Sequence, residues 1–199
     1  MKDTLLRFIL NLRRPTKAAN IKLLKQHGEA LNSLLIREVT LSDIPALAAL
    51  HVKAWNQTYP FVKRPPTFEI RQYQWEEQFK QTDQSWFCLI VENSQKELIG
   101  FAKGQRYTDK LKFEGELNKL YLLQDYQRLG IGRRLVGNVI QHFLAKGIKS
   151  MVLFSEPSNP SIRFYEAIKG ERIYAEDGKF HGAYGWNDLA AIVPIFPKE

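Results

Sequence analysis

The chain of 199 residues has one cysteine, Cys88, which excludes an internal disulfide. It sits in Trp86-Phe87-Cys88-Leu89-Ile90-Val91, a run that reads as a buried strand, where a thiol is an inert core group and not a nucleophile. No apolar run approaches the ~18 residues of a membrane-spanning helix. The segment Leu5-Leu6-Arg7-Phe8-Ile9-Leu10 is too short, is interrupted by Arg7 and has no small-residue cleavage site, so it does not read as a signal peptide. Histidines are few and scattered: His27, His51, His142 and His181 lack ligand spacing, so no metal site is expected. Repeats, low-complexity tracts and interdomain linkers are absent beyond a boundary near Asn32-Ser33.

What remains is an ordinary globular composition, 44% hydrophobic and 25% charged, enough for one domain with an ample core. The net charge of +8 is uneven. Residues 1–33 hold seven Lys or Arg against Asp3 and Glu29, a net +5, which leaves +3 for the body. A mildly basic body gives no reason to expect a nucleic-acid-binding face. The basic segment carries apolar residues at helical intervals (Leu5, Phe8, Ile9, Leu12, then Ile21 and Leu24) broken by Pro15. It reads as an amphipathic extension, residues 1–33, whose one or two helices dock on the body or on a partner, ahead of a domain over 34–199.

In the body, periodicity predicts strand 34–39, helix 43–56, an aromatic-rich segment 59–66, helix 67–80 and strands 86–92, 97–106 and 115–123. It continues with helix 131–146, strand 150–155, helix 160–168 and strands 171–176 and 184–194. Asn93-Ser94-Gln95-Lys96 reads as a hairpin turn. Strands and helices alternate without a single repeating unit, which indicates mixed α/β architecture.

The most informative stretch is Gln127-Arg128-Leu129-Gly130-Ile131-Gly132, between the strand-like run Glu116 to Leu123 and a helix starting at Ile131. That helix is well specified, because Ile131, Leu135, Val136, Val139, Ile140, Phe143 and Leu144 share one face. Two glycines at its start allow a tight turn and close approach of the backbone to an anion, which the free amides and dipole of the first turn favour. Arg133 and Arg134 oppose that dipole, an arrangement easier to explain if an anion is bound. Glycines serving packing alone are the other reading.

Extended by Leu120-Tyr121-Leu122-Leu123 before it, this stretch resembles motif A of the GNAT N-acetyltransferase superfamily. Asn159-Pro160-Ser161-Ile162-Arg163-Phe164-Tyr165-Glu166 resembles motif B. Ile36-Arg37-Glu38, Ser42-Asp43 and the stretch His51 to Tyr59, with Trp55 four residues before Tyr59, are similar to the family's first strand and helix. Together the motifs span roughly residues 34 to 193.

The resemblance implies an α/β GNAT fold: a central mixed, mostly antiparallel twisted sheet with a V-shaped split, flanked by helices. Acetyl-CoA would lie in the split between the strand ending at Leu123 and that ending near Ser155. The main chain at Leu120, Tyr121 and Leu122 would bond the pantetheine arm as an added strand does. Amides from Arg128 through Leu129, Gly130, Ile131 and Gly132 to Arg133 would hold the pyrophosphate. The Leu120 amide is the position nominated to stabilise the thioester oxyanion.

An amine nucleophile has an ordinary pKa near ~10.4 and must lose a proton before it attacks. Glu116, eleven residues before Gln127, stands where several family members carry that base; a structural carboxylate at a strand start is the other reading, and Glu114 is a substitute if the strand is regular. Tyr165 matches the tyrosine that lies near the leaving sulfur, against a plain core role. Asn159 precedes Tyr165 by six residues where many members have seven, which opens its contact with pantetheine to Ser158. Trp55, Tyr59, Phe61, Tyr184, Trp186 and Asp188 would shape the acceptor side and suit a cationic amine, with core packing of the tryptophans as the alternative. The expectation is a cytoplasmic acetyl-CoA-dependent N-acetyltransferase acting on a small-molecule amine, with a homodimer allowed. A protein acetyltransferase and a non-catalytic acyl-CoA-binding module are the alternatives.

Overall fold

The structure, a computed structural model, describes residues 16–109, 111–157, 159 and 161–197. The first helix, α1 (Lys17–Gln26), starts where the Thr16 side chain accepts from the Ala19 amide. Strand β1 (Leu35–Glu38) leads through a turn boxed by Thr40 and Asp43 into α2 (Ile44–Thr58), and Thr67 caps α3 (Phe68–Phe79). Three strands follow: β2 (Trp86–Glu92), β3 (Leu98–Arg106) and β4 (Gly115–Leu122). Then come α4 (Ile131–Ala145), β5 (Met151–Phe154), α5 (Ile162–Ala167), β6 (Glu171–Tyr174), β7 (Phe180–Trp186) and a terminal turn of helix, α6 (Leu189–Ile192).

The strands form one seven-stranded sheet in the order β1-β2-β3-β4-β5-β7-β6. Every pair is antiparallel except β4 and β5, which the crossover through α4 makes parallel. α4 buries Ile131, Leu135, Val136, Val139, Ile140 and Phe143, six of the seven residues that periodicity assigned to its inner face. It packs where Gly104 and Gly115 let the Phe143 ring approach the strands. Helices α2 and α3 cover the other face: His51 and Trp75 meet Phe101, with ring centroids 5.0 and 5.6 Å apart. Cys88 is buried in β2, and burial pushes its thiol pKa up.

Residues after Asn93 turn as predicted, with Asn93 Oδ1 accepting from the amides of Gln95 and Glu97. The chain end differs from the sequence reading. The last strand is Phe180–Trp186, not 184–194, because Asp188 accepts from the Ala191 amide and caps a helical turn that buries Leu189. Gly182, at φ +94°, supplies the bend within β7; its carbonyl accepts from the Ser155 amide at 3.0 Å, and a Cβ there would collide with the Ser155 carbonyl.

Of the one or two helices expected in the N-terminal segment, the stretch up to Pro15 lies outside the described residues and the stretch after it forms α1. Buried Asn20 of α1 donates to the carbonyls of Gln124 and Gln127, both at 2.9 Å. Glu29 accepts from the Ser94 amide and hydroxyl. Arg134 donates to the carbonyls of Leu31 and Leu34, so its charge is turned to this segment and away from the glycine turn. No helix among the described residues is long and apolar enough to cross a membrane.

Candidate active site

β4 and β5 pair only at Gly115 with Met151 and Glu116 with Val152. Beyond that point they separate, and the cause is visible in β4. Lys119 pairs with Lys103 of β3 and Leu117 pairs with Gly104, so Asn118 is an extra residue, a bulge that bends and twists the strand away from β5. β4 keeps its bonds to β3 through Leu122, while its other edge faces an open cleft of about 930 Å³. Leu120, Tyr121 and Leu122 form one wall of it, Leu153 to Glu156 the opposite wall, and Trp55, Thr58, Tyr59 and Val62 of α2 and its exit a third.

At one end of the cleft lies the glycine turn. Arg128 and Gly130 are both left-handed, at φ +61° and +86°. For an arginine that conformation is unfavourable, and alternating left-handed residues aim successive amides into one concavity. The Arg133 and Arg134 amides donate to the Gly130 carbonyl, while those of Ile131 and Gly132, the first helical residues, precede any intrahelical bond. Gly130 Cα faces open space, and a Cβ on Gly132 would meet only the Phe164 ring at 3.7 Å. Gln127 Nε2 donates to the Leu122 carbonyl, and Asn20 holds the Gln124 and Gln127 carbonyls, so the turn is braced from both sides. Arg128, Gly130, Gly132 and Arg133 line the cleft; Ile131 is buried beneath it and Leu129 packs against the core.

Tyr165, on α5, lines the cleft and is buried, its ring 5.4 Å from Tyr184. Asn159 also lines the cleft. Its Oδ1 accepts from the Ser161 amide and its Nδ2 donates to the Tyr59 hydroxyl at 3.2 Å, linking α2 to the start of α5. Burial pushes the Tyr59 phenol up to about 12, so it is a neutral donor at ordinary pH. Ser158, weighed above for the same contact, lies outside the described residues, as does Pro160.

Glu116 sits one residue deeper than the cleft wall, which runs down to Leu117 and Asn118. Gln105 Nε2 donates to one carboxylate oxygen at 2.6 Å and Asn118 Nδ2 to the other at 2.9 Å. Its surroundings are therefore polar. Glu114 is no substitute: it is exposed, precedes β4, and accepts from the Lys149 amide at 2.5 Å. Of the expected acceptor wall, Trp55 and Tyr59 line the cleft and Phe61 is exposed. Tyr184 and Trp186 are core residues, with Trp186 Nε1 donating to the Ile168 carbonyl, and Asp188 caps α6.

Residues that sequence reasoning missed stand on the same face as Glu116. Lys119 lines the cleft, and burial together with Arg71 holds its ammonium pKa below the usual range. Lys103, its cross-strand partner, donates to Gln78 and Gln105, and burial pushes its pKa down to about 8. His51 is kept neutral, its pKa pushed down to about 2, chiefly by burial. A lysine in mid-strand was the legible signal for Lys119; nothing local marks Arg71.

Comparison with known proteins accords with this geometry. Residues 49–170 match the model of the Acetyltransferase (GNAT) family. The uncharacterized N-acetyltransferase YuaI of Bacillus subtilis (strain 168) is 30% identical over 171 residues, covering 82% of this chain and 98% of its own. Among solved structures, PaiA N-acetyltransferase of Thermoplasma acidophilum in complex with coenzyme A has TM-score 0.60 at 23% identity, covering 77% of this chain and 98% of its own. Spermidine N-acetyltransferase of Vibrio cholerae, in complex with CoA and spermine, has TM-score 0.60 at 16% identity over 81% of this chain and 99% of its own. At these identities the solved structures speak for the fold. The family match and the YuaI relationship carry more: this chain belongs to the GNAT acetyltransferases, enzymes whose acyl donor is acetyl-CoA.

Proposed function

We propose that the protein transfers the acetyl group of acetyl-CoA to a primary amine of a small molecule by direct attack on the thioester. The observation that carries this reading is the parting of β4 from β5 beside a left-handed turn with unengaged amides. An unpaired strand edge suits the amide-bearing pantetheine arm at Leu120, Tyr121 and Leu122. The amides of Arg128 to Gly132 suit the pyrophosphate; that of Arg133 already donates to the Gly130 carbonyl, so Arg133 would contribute through its side chain. Asn159 closes the far wall next to the pantetheine.

In this reading the amine nitrogen bonds to the thioester carbon, and the Leu120 amide stabilises the oxyanion. Glu116 takes the amine proton through a water at Asn118, since the carboxylate stands behind the cleft surface and not in it. The C–S bond then breaks, and the Tyr165 hydroxyl gives the departing thiolate its proton. Turnover of acetyl-CoA against pools of amines, read as free thiol, tests the proposal. Amine-dependent thiol release is expected; CoA binding with no release from any amine would instead favour a non-catalytic acyl-CoA-binding module.

A further inference from the structure

The sheet face under α2 and α3 carries a charge imbalance that the acetyl-CoA site does not use. Lys103 and Lys119 are direct cross-strand partners and so stand side by side, an arrangement that destabilises a sheet when both are charged. Arg71 of α3 lies close enough to lower the pKa of Lys119. Glu116 is the carboxylate that acts on both lysines, yet it forms an ion pair with neither, each of its oxygens accepting instead from a neutral amide, that of Gln105 or Asn118. Among the described residues, none of Arg71, Lys103 and Lys119 forms an ion pair.

An independent observation falls on the same cluster. Three side-chain nitrogens among the described residues are buried without a hydrogen-bond partner: His51 Nδ1, Arg71 Nε and Trp75 Nε1. The His51 ring lies 6.0 Å from Trp75 and 5.1 Å from Tyr121, and Arg71 and Lys119 both act on its imidazole. Arg71 Nε and Trp75 Nε1 can only donate. Buried donors without acceptors are costly and rare, and here they gather beside cations whose only partners are neutral: Lys119 donates to Asn118, Lys103 to Gln78 and Gln105, and Arg71 to Gln74. Lys119 and Tyr121 belong both to this cluster and to the cleft wall.

We infer that the acceptor amine carries an oxyanion, a carboxylate or phosphate, which seats against Lys119 and Arg71 while its amine reaches the thioester. This rests on the acetyltransferase reading of the cleft. A polyamine would meet like charge at this end. An amino-oxyanion completes the donors, offsets the paired lysines and leaves Glu116 free to serve the amine.

The test uses the full chain saturated with acetyl-CoA and a panel of amino carboxylates and amino phosphates, each paired with its neutral counterpart, plus polyamines. Oxyanion-bearing amines should be preferred, and the two arms of the panel separate carboxylate from phosphate. Arg71→Gln and Lys119→Gln should each raise KM for them about tenfold or more, as loss of a charge-assisted hydrogen bond does, while the Kd for CoA holds. Both replacements remove an unpaired, part-buried charge, so the thermal midpoint should hold or rise, whereas a purely structural role would lower it. Preference for polyamines or neutral amines, or KM unmoved in both variants, overturns the inference and leaves the acetyltransferase reading intact. Should no panel member react, calorimetry of the CoA-saturated protein with succinate and inorganic phosphate decides. No binding, or binding equal in the variants, overturns the inference. Failure to bind CoA at all overturns the reading beneath it.

Discussion

Glu116 holds one hydrogen bond at each carboxylate oxygen, from Gln105 and from Asn118, and a carboxylate has further lone pairs for a bridging water. Glu116→Gln should therefore keep the fold and lower turnover about a hundredfold or more near neutral pH. Part of the loss should return at high pH, where more of the amine is already free base. A pH–rate profile checks this, and an equal loss at every pH would mark Glu116 as structural. Tyr165→Phe keeps the ring against Tyr184 and removes only the hydroxyl. If that hydroxyl protonates the thiolate, thiol release should fall about ten- to a thousandfold with CoA affinity nearly constant. A shift in thermal midpoint with near-wild-type turnover would return Tyr165 to the core. Glu116 and Tyr165 could be nominated from the sequence because each stands at a fixed offset from a motif; their roles remain for these two variants to test. Tyr184, expected on the acceptor side, is core, and Trp186 follows its alternative reading of core packing, because an aromatic residue type does not say which sheet face it occupies.

At the scale of elements, the turn between β4 and α4 is shaped from outside as well as by its own glycines. Asn20 reaches it across more than a hundred residues of sequence and holds two of its carbonyls. Loss of both bonds in Asn20→Ala should loosen the turn and weaken CoA binding several-fold, with little change in the amine KM; calorimetry and steady-state kinetics together measure the split. Unchanged CoA affinity would show that the turn holds its shape without α1. α4 itself was legible almost residue for residue, since one apolar stripe against one sheet face leaves a clear period. The final strand was not, because Asp188 competes for the chain with a helix cap that outweighs the strand-like residues after Trp186. Arg134 illustrates the same limit. Its charge beside the glycine turn suggested an anion, yet it serves carbonyls of the N-terminal segment.

For the molecule as a whole, the site is a consequence of sheet topology. A parallel pair that separates after two residues, inside an otherwise antiparallel sheet, leaves a strand edge and a helix N-terminus facing the same space. The motifs made that layout legible by resemblance. The cationic face beneath α2 and α3 was not legible, because Arg71, Lys103 and Lys119 come from three elements that only the folded sheet brings together. The central claim is that the glycine turn receives the CoA phosphates. Calorimetric titration of CoA into wild type and Gly132→Trp tests it most directly, since a side chain at 132 has room to form but would project toward the cleft. The account predicts a folded variant with a near-unchanged thermal midpoint and CoA affinity reduced by at least about tenfold, as loss of charge-assisted bonds to phosphate implies; a folded Gly132→Trp protein binding CoA as tightly as wild type would contradict it.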